Sequence, residues 1–187
     1  MSTYPTFSKW VIVSATLGAL VLVGGTTEAQ VVAKPDFSGV WELDDGKSDD
    51  APEAIRVALG KTGGRSRDQH QRQALSSRLN YLAYASETIE ITQTSQDFTL
   101  INTEDVVRIH YIDSEKHTRQ SPGGESMTTV TMWSDDLLVA TTEGKEIGKV
   151  TETFGYEGHQ LVHIVRIQHK LFEDDLVVRT YYNRLDD

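Results

Sequence analysis

The 187-residue sequence contains no cysteine, and its acidic residues outnumber its basic ones. Without cysteine the chain has no disulfide framework, no thiolate metal site and no cysteine nucleophile. Neither a Gly-x-Ser-x-Gly elbow nor a glycine-rich phosphate loop occurs. The 18 Lys and Arg residues stand against 28 Asp and Glu residues, which gives a formal net charge of −10. Nucleic acids and anionic membrane surfaces require a concentrated basic face, so we expect neither as a partner.

Long apolar runs are also scarce, and one run near the N-terminus stands out. It extends from Trp10 to Val23, follows Lys9, and precedes the small residues Thr27 and Ala29. The alternative of a retained membrane anchor is disfavoured, because the run is shorter than the ~20 residues that cross a bilayer. The pattern is typical of a cleaved signal peptide.

This N-terminal pattern predicts the location and the organisation of the chain. A secreted protein without disulfides fits a bacterial periplasm or exterior, so we predict a secreted or periplasmic protein with no membrane span after processing. The remaining chain is long enough for one core or one cavity. The predicted parts are a signal peptide over 1–29, a tether over 30–36 and a single domain over 37–187.

The segment over about 52–85 differs in composition from the rest and is rich in Ala, Arg, Gln and Leu. Pro52 suits the first turn of a helix, and apolar residues follow it at the three-four spacing of a buried helical face. Gly60 and Gly63 interrupt this pattern before it resumes. The two apolar stripes are Ala54, Ile55, Ala58 and Leu59, then Ala74, Leu75, Leu79, Leu82 and Ala83. The segment therefore predicts a helix-turn-helix insertion.

The rest of the domain shows the alternation of β-strands. In the first strand, over 37–43, the residues Phe37, Gly39, Trp41 and Leu43 share one face. The glycine between two aromatic residues leaves room for another group to approach closely. Nine later strands are expected at about 87–94, 97–102, 106–112, 116–120, 126–133, 137–142, 147–156, 160–169 and 176–184. This pattern predicts a mostly β fold, an up-and-down antiparallel barrel with the helical insertion after its first strand.

Several strands carry polar residues on both faces, most clearly the segment over 127–133 with Thr128, Thr129 and Thr131. A solid sandwich would have one uniformly apolar face. A barrel with a partly wet interior accommodates Thr, Arg and His inside. The polar strands therefore favour a cavity over a filled core.

Three features make the chain resemble the lipocalin and fatty-acid-binding-protein (calycin) superfamily. Gly39–Trp41 matches the Gly-x-Trp signature of the first strand, and a helical pair follows that strand as in fatty-acid-binding proteins. Arg179–Tyr181 resembles the terminal Arg-x-Tyr with which many of these proteins hold a ligand carboxylate. The opening over 37–43, with Asp44 and Lys47, also resembles secreted bacterial lipocalin-like proteins of unassigned function.

The resemblance implies a small-molecule ligand and places Arg179 and Tyr181 at an acidic group of that ligand. Two residues apart on a strand share a face, and an Arg fork with a Tyr hydroxyl suits a carboxylate. The helical pair would cover the mouth of the barrel, and Trp41 would seal its base. The alternative is that Arg179 stacks on Trp41 and closes the base, as a terminal Arg does in many lipocalins.

Arginine and histidine residues on two other strands are further site candidates. Arg108 and His110 share a face, which is either a basic lining of the interior or a solvated surface. His163 stands in an apolar row with Leu161 and Val165, where it is either a satisfied core histidine or a functional group. The six histidines lack metal-ligand spacing, so we predict no metal and no cofactor.

Three functions are compatible with this pattern. The first is a secreted barrel that binds an apolar or amphipathic ligand, with or without an acidic group. The residues expected to bind this ligand are Arg179, Tyr181, Trp41, Arg108 and His110. The second is an isomerase, lyase or hydrolase of a small organic substrate, with catalytic candidates His110, His163 and Tyr181. The third is a ligand-free envelope interaction module, whose partner surface would be the helical arginines Arg56, Arg65, Arg67, Arg72 and Arg78.

Overall fold

The computed structural model of the chain describes residues 33–61, 73, 75–79, 83, 85–121 and 124–185. The residues from Lys34 onward form one compact unit. The predicted signal peptide over 1–29 lies outside the described residues. Among the helices of the described part, none is both long and apolar enough to cross a bilayer.

Ten antiparallel strands form a single sheet that curls into a nearly closed barrel. In chain order they are β1 Gly39–Leu43, β2 Thr88–Gln93, β3 Asp97–Asn102, β4 Val107–Tyr111, β5 His117–Gln120, β6 Ser126–Ser134, β7 Leu137–Gly144, β8 Gly148–Glu157, β9 Gln160–Gln168 and β10 Leu176–Arg184. Successive strands pair with each other and β1 pairs with β10, whereas no pairing in the described sheet joins β4 to β5. We call the space between β4 and β5 the seam. The predicted mostly β, up-and-down barrel is confirmed.

The helical insertion begins with α1, Ala51–Lys61. Asp50 caps its first turn, since the Asp50 carboxylate accepts a hydrogen bond of 3.0 Å from the amide of Glu53. Residues 73, 75–79 and 83 are also helical. The buried residues of the two helical stretches are Ala51, Ile55, Leu59, Leu75, Leu79 and Ala83. The predicted helical pair is confirmed in its described residues, and Ala74 and Leu82 of the predicted stripe lie outside them.

The barrel interior holds two apolar clusters. The base cluster consists of Phe37, Trp41, Ile89, Ile91, Phe98, Leu100, Leu138, Phe154, Leu161 and Tyr182. The lid cluster consists of the buried helical residues together with Met127, Ile147, Val150, Val165, Ile167, Leu176 and Val178. The helices therefore cover one end of the barrel with apolar side chains, and the first strand helps to close the other.

Trp41 is the largest side chain of the base cluster and is 1% exposed. Its indole N–H donates to the carbonyl of Phe37 over 2.9 Å, and the guanidinium of Arg184 lies 5.2 Å from its ring centroid. The alternative that Arg179 stacks on this ring is wrong, because Arg184 takes that place. Arg184 also fills the space beside Gly39, where a Cβ atom would lie 2.9 Å from its guanidinium.

Replacing Trp41 by Ala should destabilise the barrel far more than replacing Trp133, the half-buried tryptophan that stacks on Phe37. Loss of a fully buried aromatic side chain leaves a cavity that costs about 3–5 kcal/mol of unfolding free energy. Urea unfolding of Trp41→Ala and Trp133→Ala against the parent protein measures the difference. Equal losses in the two variants would contradict the role of Trp41 as the seal of the base.

Candidate functional site

A belt of polar side chains lies between the base cluster and the lid cluster. On β8, Glu152 stands between Phe154 of the base and Val150 of the lid. On β9 and β10, His163 and Thr180 are paired across the sheet. The three polar residues are 3%, 5% and 2% exposed, in the order Glu152, His163 and Thr180. Polar groups buried to this degree must be paired or functional.

Arg108 and Glu152 form a buried ion pair across the barrel interior. Arg108 Nη1, on β4, donates to Glu152 Oε1, on β8, over 2.7 Å. Burial is the largest single effect and raises the pKa of Glu152, but the Arg108 guanidinium together with His163 and His110 outweighs it and holds the pKa well below its usual range. The pair carries one positive and one negative charge and is neutral as a unit.

His163 lies against the same carboxylate. Its Nε2 atom is 3.3 Å from Glu152 Oε1 but outside hydrogen-bond geometry, and its ring stacks on Phe154 with centroids 4.4 Å apart. Burial lowers the pKa of His163 against the opposing effect of Glu152. His163 is therefore a neutral member of the belt at pH 7.

His110 is the least satisfied group of the belt. It faces inward from β4 and is 2% exposed, and neither of its ring nitrogens has a hydrogen-bond partner among the described residues. Burial, opposed by Glu152, lowers its pKa to about 4. At pH 7 the neutral ring thus has one free N–H donor and one free acceptor. An unpaired buried polar group costs about 1–3 kcal/mol, a cost that a hydrogen-bonding ligand would remove.

A cavity of about 410 Å³ opens at the seam beside His110. Its inner wall consists of His110, Thr129 and Thr131, its rim of Val107, Ile109 and Tyr111, and its β5 side of His117, Thr118 and Arg119. The rim residues belong to the outer face of β4 and are exposed. An apolar rim around a few polar groups, at a volume of roughly 300–1,000 Å³, is typical of small-molecule sites.

The structure brings several of the predicted site residues into the interior. Arg108, His110 and His163 face inward, and His110 lines the seam cavity. His110 and His163 flank Phe154 at centroid distances of 6.3 and 4.4 Å. Trp41 lies in the base cluster and is not part of the lining of the seam cavity.

Arg179 and Tyr181 lie on the outer face of β10, so the prediction that they hold a ligand in the interior is wrong. Arg179 is exposed. The Tyr181 hydroxyl donates to Glu157 over 3.1 Å, and the Lys47 ammonium lies 3.9 Å above the Tyr181 ring. The inward residues of β10 are Leu176, Val178, Thr180 and Tyr182. Because side chains alternate along a strand, the odd-numbered residues turn outward.

Sequence reasoning missed Glu152, Arg119 and Tyr182. A signal for Glu152 exists, because a carboxylate interrupts the alternating apolar face that holds Val150 and Phe154. A carboxylate on a buried face needs a partner. Arg119 has no such signal, since β5 is short and polar throughout. Tyr182 continues the inward row of β10, where burial raises its pKa to about 12.

Two further expectations from the sequence are a partner surface formed by the helical arginines, and histidines that hold no metal. Arg56 pairs with Glu53, and Arg78 pairs with Glu146 over 3.0 Å. The remaining arginines of that predicted surface, outside the described residues, are Arg65, Arg67 and Arg72. Within the described ranges, no group of three His, Cys, Asp or Glu side chains is arranged to hold a metal ion.

Several solved structures share this architecture. Lipid binding protein 8 of Caenorhabditis elegans matches with a TM-score of 0.53 at 18% sequence identity, over 83% of this chain and 99% of its own. The REP1-NXSQ fatty acid transporter matches with a TM-score of 0.52 at 13% identity, over 80% and 96% of the two chains. The wild-type fluorescent protein UnaG matches with a TM-score of 0.50 at 14% identity, over 80% and 97%.

The chain has the fold of the fatty-acid-binding barrels. The resemblance to the lipocalin and fatty-acid-binding-protein superfamily is thereby confirmed for the fold. A comparison with protein-family models found no match, and neither did a comparison with curated proteins. The chemistry of the site consequently follows from its own residues.

Replacing Glu152 by Gln should destabilise the barrel, because Arg108 then becomes a buried cation without a counter-ion. The expected loss of unfolding free energy is about 3–5 kcal/mol. The double variant Arg108→Met/Glu152→Leu removes both charges and should recover most of that loss. Urea unfolding of both variants measures the effect. A double variant as unstable as Glu152→Gln would show that packing, rather than charge, sets the cost.

Barrel stability should fall as the pH is lowered from about 6.5 toward 4. The pKa of His110 shifts from its ordinary 6.5 to about 4 on folding, so the unfolded state binds more protons in this range. One such group changes the unfolding free energy by up to ~1.4 kcal/mol per pH unit. His110→Phe should flatten the slope measured by urea unfolding at pH 7, 6 and 5. An unchanged slope would assign the pH dependence to other groups and contradict this prediction.

Proposed function

We propose that the chain is a small-molecule-binding barrel that takes an apolar or amphipathic ligand into the seam cavity. The observation that carries this proposal is the buried imidazole of His110, which faces the cavity with both ring nitrogens unpaired among the described residues. Buried polar groups in folded proteins are almost always hydrogen-bonded. A bound polar group is the partner that this site lacks.

The rim of the cavity supports an amphipathic ligand. Val107, Ile109 and Tyr111 are 53%, 45% and 48% exposed on the outer face of an edge strand. Covering them with the apolar part of a ligand would contribute roughly 25 cal/mol per Å² of apolar surface removed from water. The polar part of the same ligand would then lie toward His110.

The structural neighbours and the N-terminal sequence support a carrier outside the cytoplasm. Two neighbours are named for fatty acid transport and lipid binding, which favours ligand binding in general. The signal-peptide pattern over 1–29 favours a secreted or periplasmic location. The two observations together support the proposal of a barrel that carries a small molecule in the periplasm or the exterior.

Catalysis in the same cavity has weaker support. A general base is most effective when its pKa lies near the working pH, whereas the pKa of His110 is about 4. Tyr181, another catalytic candidate, faces outward. The free donor and acceptor of His110 therefore suit hydrogen bonding to a ligand better than proton transfer.

Native mass spectrometry of the processed protein from a periplasmic preparation should show a retained small molecule. After delipidation, the same protein should bind the neutral dye Nile red. His110→Phe keeps a buried ring but removes both nitrogens, so retention of a polar ligand should fall by about 2–10-fold. The control is His159→Phe in the exposed turn between β8 and β9, which should retain the ligand as the parent does. A protein that retains no small molecule and binds no Nile red would contradict the proposal.

A further inference from the structure

We propose that the seam cavity is an anion site for a compact aromatic carboxylate, with Arg119 as its ion-pair partner and His110 as its hydrogen-bond donor. This assignment rests on the proposed binding function and adds the chemical class of the ligand. It also moves the acidic group of the ligand from Arg179, where the sequence motif placed it, to another strand.

The charge of the cavity lining supports an anionic ligand. The chain has a net charge of −10, yet none of the described lining residues carries a carboxylate. Inside the barrel, Arg108 is neutralised by Glu152 at 2.7 Å. On the β5 side of the cavity, His117 is held by Asp113 at 2.9 Å. Among the described lining residues, the cation without an ion pair is therefore Arg119.

Arg119 and His110 both have donors to spare in the cavity lining. The side chain of Arg119 has neither an ion pair nor a hydrogen bond among the described residues, and its guanidinium can hold a carboxylate through two N–H groups. Its charge contributes to the lowered pKa of His110, which shows that the two groups share one electrostatic environment. The hydroxyl of Thr129, by contrast, is engaged with that of Thr142 over 2.8 Å. A carboxylate between Arg119 and His110 would satisfy both.

Two aromatic residues of the cavity lining support an aromatic ring in the ligand. Tyr111 on β4 and His117 on β5 face each other across the seam with ring centroids 4.6 Å apart. Both line the cavity, and Tyr111 is 48% exposed. Aromatic faces attract an additional stacked or edge-on ring beyond the effect of the area that they bury.

The aromatic side chains behind the seam cavity support a compact ligand. Phe98 and Phe154 are fully buried, lie 4.6 Å apart, and have ring centroids 6.1 and 6.3 Å from that of His110. Both rings belong to the base cluster, so packed aromatic side chains adjoin the inner wall of the seam cavity. A ligand in the roughly 410 Å³ of the seam thus lies along the edge of β4 instead of reaching down the barrel axis.

The test compares 2-naphthoate with 2-naphthalenemethanol, which share a ring system and differ in charge. Isothermal titration at low ionic strength should show at least about tenfold tighter binding of the carboxylate to the parent protein, as expected of a charge-assisted, bidentate contact. Arg119→Gln should abolish this preference by weakening naphthoate about tenfold while leaving the alcohol unchanged. Arg119→Lys should retain part of the preference, because it keeps the charge and loses the fork.

Arg179→Gln is the matched control, since Arg179 is an exposed arginine on β10, four strands from β4 and five from β5 in the sheet order, and receives the same substitution. It should leave both affinities unchanged. Equal binding of the two probes to the parent, or equal losses in Arg119→Gln and Arg179→Gln, would overturn the anion site. Palmitate binding more tightly than naphthoate would overturn the compact class. Binding of Nile red without either naphthalene probe overturns this assignment alone, whereas failure of all three, with no molecule retained in native mass spectrometry, overturns the binding function as well.

Discussion

The buried ion pair between Arg108 and Glu152 is the interaction on which the seam cavity depends. β4 is an edge strand that is hydrogen-bonded to β3 and leaves its other side facing the seam. The 2.7 Å contact ties this strand across the interior to β8. His110 is two residues from Arg108 and on the same face, so the tie also fixes the imidazole that lines the cavity. An edge strand without such a tie would be free to fray.

The charges of this ion pair stabilise the fold, whereas a different charge is available to a ligand. Arg108 and Glu152 neutralise each other, and burial keeps His110 and His163 neutral at pH 7. Arg119, outside the pair, carries its charge at the cavity. Removing a charge from the pair therefore acts on folding, while removing the charge of Arg119 acts on what the cavity holds.

Most of the fold is predictable from the sequence because its signals are local. Alternation placed two strands over 97–102 and 176–184, the bounds that β3 and β10 have, and three-four spacing found the described buried helical residues except Ala51. The site is less predictable because its partners are distant, as Arg108 and Glu152 are 44 residues apart. Arg179 and Tyr181 on β10 match the Arg-x-Tyr motif in residue type. Which residues of β10 face inward, however, is set by the pairing of that strand with β9.

β4 shows why function belongs at the seam. Its apolar residues Val107, Ile109 and Tyr111 face water, and its polar residues Arg108 and His110 face the interior, the reverse of an ordinary amphipathic strand. Glu152 offsets the burial of Arg108, but nothing described offsets the burial of His110 or the exposure of the apolar rim. A local conflict of this kind is typical of functional sites. One amphipathic molecule in the seam would resolve both costs, because its polar end meets His110 and its apolar part covers the rim.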